Sequence, residues 1–237
     1  MSATLPIYTC QAAPAPLAGY LQRLLQPVAR ACCFERGLPV EVRQTGMWGG
    51  WCPERQCAPD GRVVLSTRIC FFTPENIVSV YLHESAHRFL ERLEVAAHGP
   101  EFFCLNAILL LRSAAFFRLD SLLQLDLYDL QDAPAELDNE PGWRGVVLNW
   151  ALPVAAELAA SNTSAEVLAD AVCQSWQQFL QEREHSRVLA AQQILVARKK
   201  TAAAELQIED LQSSLFVART FLAVGWMCFL SVCFFVF

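Results

Sequence analysis

Residues 73–97 read TPENIVSVYLHESAHRFLERLEVAA and run directly into HGPEF at 98–102. Thr73 followed by Pro74 is a helix start, because a threonine hydroxyl can accept from unpaired N–H groups and the fixed φ of proline suits the first helical position. Neither Gly nor Pro recurs until Gly99, so the spacing predicts a helix from Pro74 to about Ala97. His83 and His87 stand four residues apart within it, one turn above the other on one face, where two imidazoles can grip a single metal ion. Glu84 is one residue past His83 and therefore rotated about 100° around the axis. That places a carboxylate beside the open position of the metal instead of in a ligand position. Two buried imidazoles and a carboxylate would be costly without a metal or partners, which disfavours an ordinary interior helix.

A tetrahedral site needs a third ligand, and one face of a straight helix seldom supplies three. His98 arrives where Gly99 and Pro100 break the helix, and it competes with Glu91 and Glu101. Glu91 lies about 6 Å further along the axis than His87 and is expected to pair with a neighbouring Arg, so His98 is favoured. The remaining histidine, His185, falls in a polar helix and reads as solvated.

Working outward, residues 1–16 are rich in Ala and Pro and read as a flexible N-terminus. Leu17, Leu21, Leu24, Leu25 and Val28 then recur at helical spacing despite Pro27. Residues 38–67 take on strand character: Val40 and Val42 alternate with polar neighbours, Trp48 to Trp51 surround a glycine pair, and Val63 to Leu65 follow the turn signal Pro59-Asp60-Gly61. Three short strands are predicted, the last two forming a hairpin. The Gly46 to Trp51 strand is a candidate edge for an extended substrate backbone, with a hairpin that buries Trp48 and Trp51 as the alternative. A second helix follows HGPEF through Phe102, Leu105, Ile108, Leu109 and Phe116.

Asp120 to Glu140 hold seven acids and no Lys or Arg, which reads as a solvated linker over 119–160. Residues 154–224 contain neither Gly nor Pro, and Thr163 with Glu166 makes a capping-box pattern. A long helical segment over 161–213 is predicted; its apolar positions keep no strict heptad, so packing back on the domain or a stalk is favoured over a coiled coil. Phe221 to Phe237 carry no charged side chain, and residues 214–237 are expected to form a C-terminal transmembrane anchor. The nearby basic residues (Arg198, Lys199, Lys200, Arg219) precede it, so the positive-inside bias would leave the bulk of the chain on the cytoplasmic side. The fold class expected is thus α+β: a small domain of N-terminal helix, three-stranded sheet, metal-binding helix and following helix, then a long helix and a membrane span.

The formal charge is −6 over 237 residues, which argues against a binder that neutralises phosphates, and direct nucleic-acid binding is not expected. Residues 1–119 carry 11 Arg against 9 acids, whereas residues 120–237 carry 7 basic residues against 15 acids, so the two halves differ in character. Ten cysteines include no CxxC pair. Without a secretory signal they read as unpaired, mostly buried thiols instead of a disulfide framework or a cysteine metal site.

The order of helix, strands with a Gly-Trp element, hairpin, HExxH helix and His98-Gly99-Pro100-Glu101-Phe102 resembles the SprT-like, Spartan-related zinc metallopeptidase domain over residues 17–118. A metzincin would need Gly at 90 and His at 93, and both are Leu. The resemblance implies Zn²⁺ held by His83, His87 and His98, with Glu84 as catalytic base. It implies an endopeptidase that hydrolyses peptide bonds with metal-activated water, acting on a protein or peptide substrate and, with the expected anchor, tethered to a membrane. The family's zinc ribbon and basic tail find no counterpart here, so repair of DNA–protein crosslinks is not carried over. Two alternatives remain: a non-catalytic, zinc-stabilised interaction module, and a protease brought to nucleic-acid-bound proteins by a separate recruiter.

Overall fold

The computed structural model describes residues 7–9, 15–34, 38–44, 50–51, 61–114 and 130–236. The elements are β1 (Ile7–Thr9), α1 (Ala15–Ala31), β2 (Val40–Arg43), β3 (Gly50–Trp51), β4 (Val63–Ser66), α2 (Pro74–Leu90), α3 (Pro100–Ser113), α4 (Trp143–Ala159) and α5 (Ala165–Val236), with single 3-10 turns at Thr67–Phe71 and Glu91–Leu93. The chain divides into two compact units, Met1–Phe179 and Leu180–Phe237.

In the first unit the sheet runs β1-β2-β4-β3. Strands β1 and β4 flank β2 in parallel, with Val40 opposite Val63 and Val42 opposite Leu65, and β3 pairs antiparallel with β4. Val40 to Val42 and all of β4 are buried, so these strands present no wet face, as expected of parallel strands covered on both sides. Even Glu41 is only 1% exposed; its carboxylate accepts from Arg43 at 2.6 Å and Arg62 at 3.1 Å.

Leu21, Leu25 and Val28 of α1 are fully buried. Helix α3 is the centre of the unit, buried at every position from Phe102 to Leu110 and packed against both α2 and α4. Val147, Trp150, Ala151 and Ala155 of α4, then Leu168, Val172 and Trp176 of α5, close the core from the other side. Arg112 ties the ends together: its guanidinium donates to the carbonyls of Cys32, Leu158, Ala159, Ser161 and Thr163 at 2.7–3.4 Å. Carbonyls at helix ends have no intrahelical donor, and one planar fork satisfies several of them. The second unit consists of the rest of α5, exposed throughout 184–224.

Several expectations are corrected. Of the described residues 76% are helical, and the small sheet among them has four strands, mostly parallel, where an α+β domain with a three-stranded sheet was expected. The additional strand, β1, lies within the supposedly flexible residues 1–16. Three residues are too few to show a period, and parallel pairing joins segments that carry no local mark of each other. Among the described residues no helix is long and apolar enough to cross a membrane. Neither the transmembrane anchor at 214–237 nor the single-pass, cytoplasmic-side localisation drawn from it therefore stands. The uncharged run from Phe221 would reach about 26 Å, short of the ~30 Å hydrocarbon core, and it continues a helix that bears Glu209, Asp210 and Arg219. Helix α2 ends at Leu90, before the expected Ala97, because Glu94 turns left-handed at φ 52°. The stretch 119–160 contains α4, packed on α3.

Residues 46–49 of the expected substrate-pairing strand, the turn residues 59–60 and acidic residues 120–129 lie outside the described residues. Five cysteines are described (Cys32, Cys33, Cys70, Cys104 and Cys173) and all are free thiols. Cys32 is buried, and desolvation pushes its thiol up to about 12, so it is inert at neutral pH.

Candidate metal centre

The helix that presents the first two histidines is set locally. The Thr73 hydroxyl accepts from the Asn76 N–H at 3.3 Å, and Pro74 occupies the first turn. Ile77, Val78, Tyr81, Leu82, Ser85 and Phe89 are buried, which fixes the rotation of α2 and leaves His83 and His87 half-buried on the remaining face. Their Nε2 atoms lie 3.2 Å apart.

His98 comes from a different place, the loop after the left-handed turn at Glu94. Its ring centroid is 5.5 Å from that of His83 and 5.0 Å from that of His87. Each of the three offers a ring nitrogen, and these atoms all lie within 4.8 Å of one another. A metal held tetrahedrally at about 2.0–2.1 Å from imidazole nitrogens requires nitrogens about 3.3 Å apart. The His83–His87 pair already has that spacing, and a small inward movement of the His98 ring completes the set. The three side chains can thus hold one metal ion, and among the described residues they form the one such group.

Two features hold the centre together that the sequence did not mark. His98 is clamped through its backbone: its N–H donates to the Asp132 carboxylate at 3.0 Å, and its carbonyl accepts from the N–H groups of Gln131 and Asp132 at 3.1 and 3.2 Å. The acidic stretch therefore reaches the site at Asp132, 34 residues away along the chain. Phe102, fully buried, forms an aromatic wall: its ring stacks on His87 at 4.1 Å and meets His83 and His98 edge-on at 4.9 and 5.1 Å. Gly99 allows the tight turn into α3, since a Cβ there would sit 3.0 Å from the Ala96 Cβ. Phe102 stood inside the HGPEF motif and four residues after His98, a spacing that puts it within reach; nothing local pointed to Asp132.

Burial, and then the neighbouring His83 and His98, push His87 down to about 3. Its imidazole is consequently neutral across the physiological range, with the lone pair that coordination requires. Glu84 is 7% exposed and directly follows His83. Of the competing ligands, Glu91 is held by Arg88 at 2.5 Å. Glu101 lies outside the cluster; its carboxyl is raised above the ordinary value by burial first and by Glu136 in addition. Tyr81 is buried in the core with its ring 6.1 Å from Phe34.

No family model matches the chain, and neither does any curated protein or solved structure.

Proposed function

We propose that the chain is a zinc-dependent endopeptidase with a SprT-like hydrolytic centre, acting on protein or peptide substrates. The observation that carries this reading is the convergence of His83, His87 and His98 within 4.8 Å, next to the buried carboxylate of Glu84. Three neutral imidazoles suit zinc and leave a fourth position open, the donor set of hydrolytic instead of structural sites. Bound zinc would supply Lewis acidity, making water a nucleophile near neutral pH and polarising a peptide carbonyl.

The chain's own residues divide the remaining work. His83 and His87 present their lone pairs from one rigid helix, while His98 is held from outside by its backbone pairing with Asp132. Phe102 covers one side of the three rings and keeps water from it. Glu84 accepts a proton from the attacking water and returns it to the departing amine.

Metal analysis and cleavage of an unfolded protein substrate test the proposal together. The purified chain should carry close to one zinc, and replacing both His83 and His87 by Ala should abolish it. Glu84→Gln should retain zinc and lose peptidase activity by about 10²–10⁴-fold. Zinc bound with no cleavage by the wild-type chain would leave the interaction-module reading in its place.

A further inference from the structure

From 184 to 224, α5 is exposed on every side, with Ile194, Ile208, Leu211, Leu215 and Leu222 each more than half exposed. Long helices owe most of their stability to an apolar face packed against something. Within the second unit this helix packs against nothing described.

Part of its apolar surface falls in one register, although Leu195, Val196, Leu206, Phe216, Val217 and Phe221 are exposed outside it. Starting at Ala190 and stepping alternately four and three residues, the chain meets Ala190, Ile194, Ala197, Thr201, Ala204, Ile208, Leu211, Leu215, Ala218 and Leu222. These are the d and a positions of a heptad repeat, and of its seven columns only these two carry no charged residue between 190 and 222. Columns b and c are interrupted by Glu209 and Asp210, and e, f and g by Arg198, Lys199, Lys200, Glu205 and Arg219. Toward the N-terminus, Arg183 and Arg187 interrupt the same seam, and beyond them a face rotated around the helix, which keeps the d positions Ala169 and Trp176 and adds Leu168 and Val172, turns into the core of the first unit. A pattern sought over the whole helix therefore misses a heptad confined to its exposed part.

We propose that residues 190–222 form a parallel, in-register, two-stranded coiled coil with the same stretch of a second copy of this chain. Two observations select this occupant. The a column holds β-branched Ile194, Thr201 and Ile208 followed by Leu215 and Leu222, the first three being of the type that favours two strands. In a parallel pair Lys200 at g faces Glu205 at e of the other copy, and the pair occurs twice by symmetry, whereas an antiparallel pair would set Arg198 against Glu205, an outcome that the charge swap below distinguishes. The mostly alanine d column lets the two backbones approach closely.

The inference is independent of the metal centre, and light scattering on the full chain at micromolar concentration tests it. The expected mass is twice the 26.5 kDa of one chain; a single-chain mass, or a higher multiple, overturns it. Leu211→Glu combined with Leu215→Glu should give a monomer with unchanged tryptophan fluorescence from the first unit, and a dimer that survives both changes overturns the seam. Lys200→Glu should weaken association roughly tenfold by turning two attractions into repulsions, and adding Glu205→Lys should restore it. Failure of the swap to restore overturns the parallel register. Thr201→Cys should form a disulfide joining position 201 of both copies, found by peptide mass spectrometry; its absence in an otherwise dimeric protein overturns the register as well.

Discussion

Helix α3 and the exposed part of α5 are both rich in Leu, Ile, Phe and Ala, yet they live in opposite surroundings. From Phe102 to Leu110 no residue of α3 is more than 3% exposed, whereas in α5 Leu206 and Leu211 are 67% and 68% exposed. Similar composition thus yields a helix held by its neighbours in one case and a helix awaiting a partner in the other. The candidate metal centre belongs with the first kind: Phe102, in the first turn of the most buried helix, is also the wall against which the three imidazoles rest. Rigid packing and site geometry are there the same interaction.

The largest test of that link is Phe102→Ala. Emptying this position should cost about 3–5 kcal/mol in urea unfolding and loosen metal binding alongside. A variant of near wild-type stability would separate the site from the core. Next comes Asp132→Ala, which should weaken metal affinity about tenfold in a chelator competition while leaving the fold intact; unchanged affinity would show that the loop holds His98 without help.

Acid should act in a smaller and graded way on the metal-free protein. Folded His87 stays neutral down to about pH 3, whereas in the unfolded chain it takes a proton below its ordinary value of 6.5. Above 6.5 neither state is protonated there and the residue has no effect. As pH falls from 6.5 towards 3, only the unfolded state gains the proton, so stability declines. Denaturation of wild type and His87→Gln at pH 7 and pH 4.5 checks the sign: the variant should lose less. The smallest effect belongs to the exposed helix, where Leu206→Ala, outside the proposed seam, should change stability by no more than about 0.5 kcal/mol. A cost approaching that of Phe102→Ala would erase the contrast between the two helices.

The legible parts of the molecule were those written in consecutive residues. Thr73 and Pro74 announce α2, the four-residue spacing brings His83 and His87 together, and Arg88 lies close enough to claim Glu91. The helical stripe of α1 survives Pro27, whose exposed position leaves the buried face undisturbed. The sheet was less legible. Val40, Glu41 and Val42 are all buried, so the alternation of a half-wet strand did not apply, and the charged residue inside the strand is paired by Arg43 of the same strand and by Arg62 from a separate segment. The apolar C-terminal run suggested a membrane span because it carries no charge, yet among the described residues no helix is long and apolar enough to cross a membrane.

Spacing along the chain was enough to set which residue types could meet on α2, because a helix turns every 3.6 residues whatever surrounds it. The break at Gly99 and Pro100 already favoured His98 as the partner of His83 and His87, but tertiary structure alone decided that Phe102 backs all three rings and that Asp132 fastens the loop. Those contacts depend on how separate elements pack, and packing is set by the whole core at once, with no signal in any short segment.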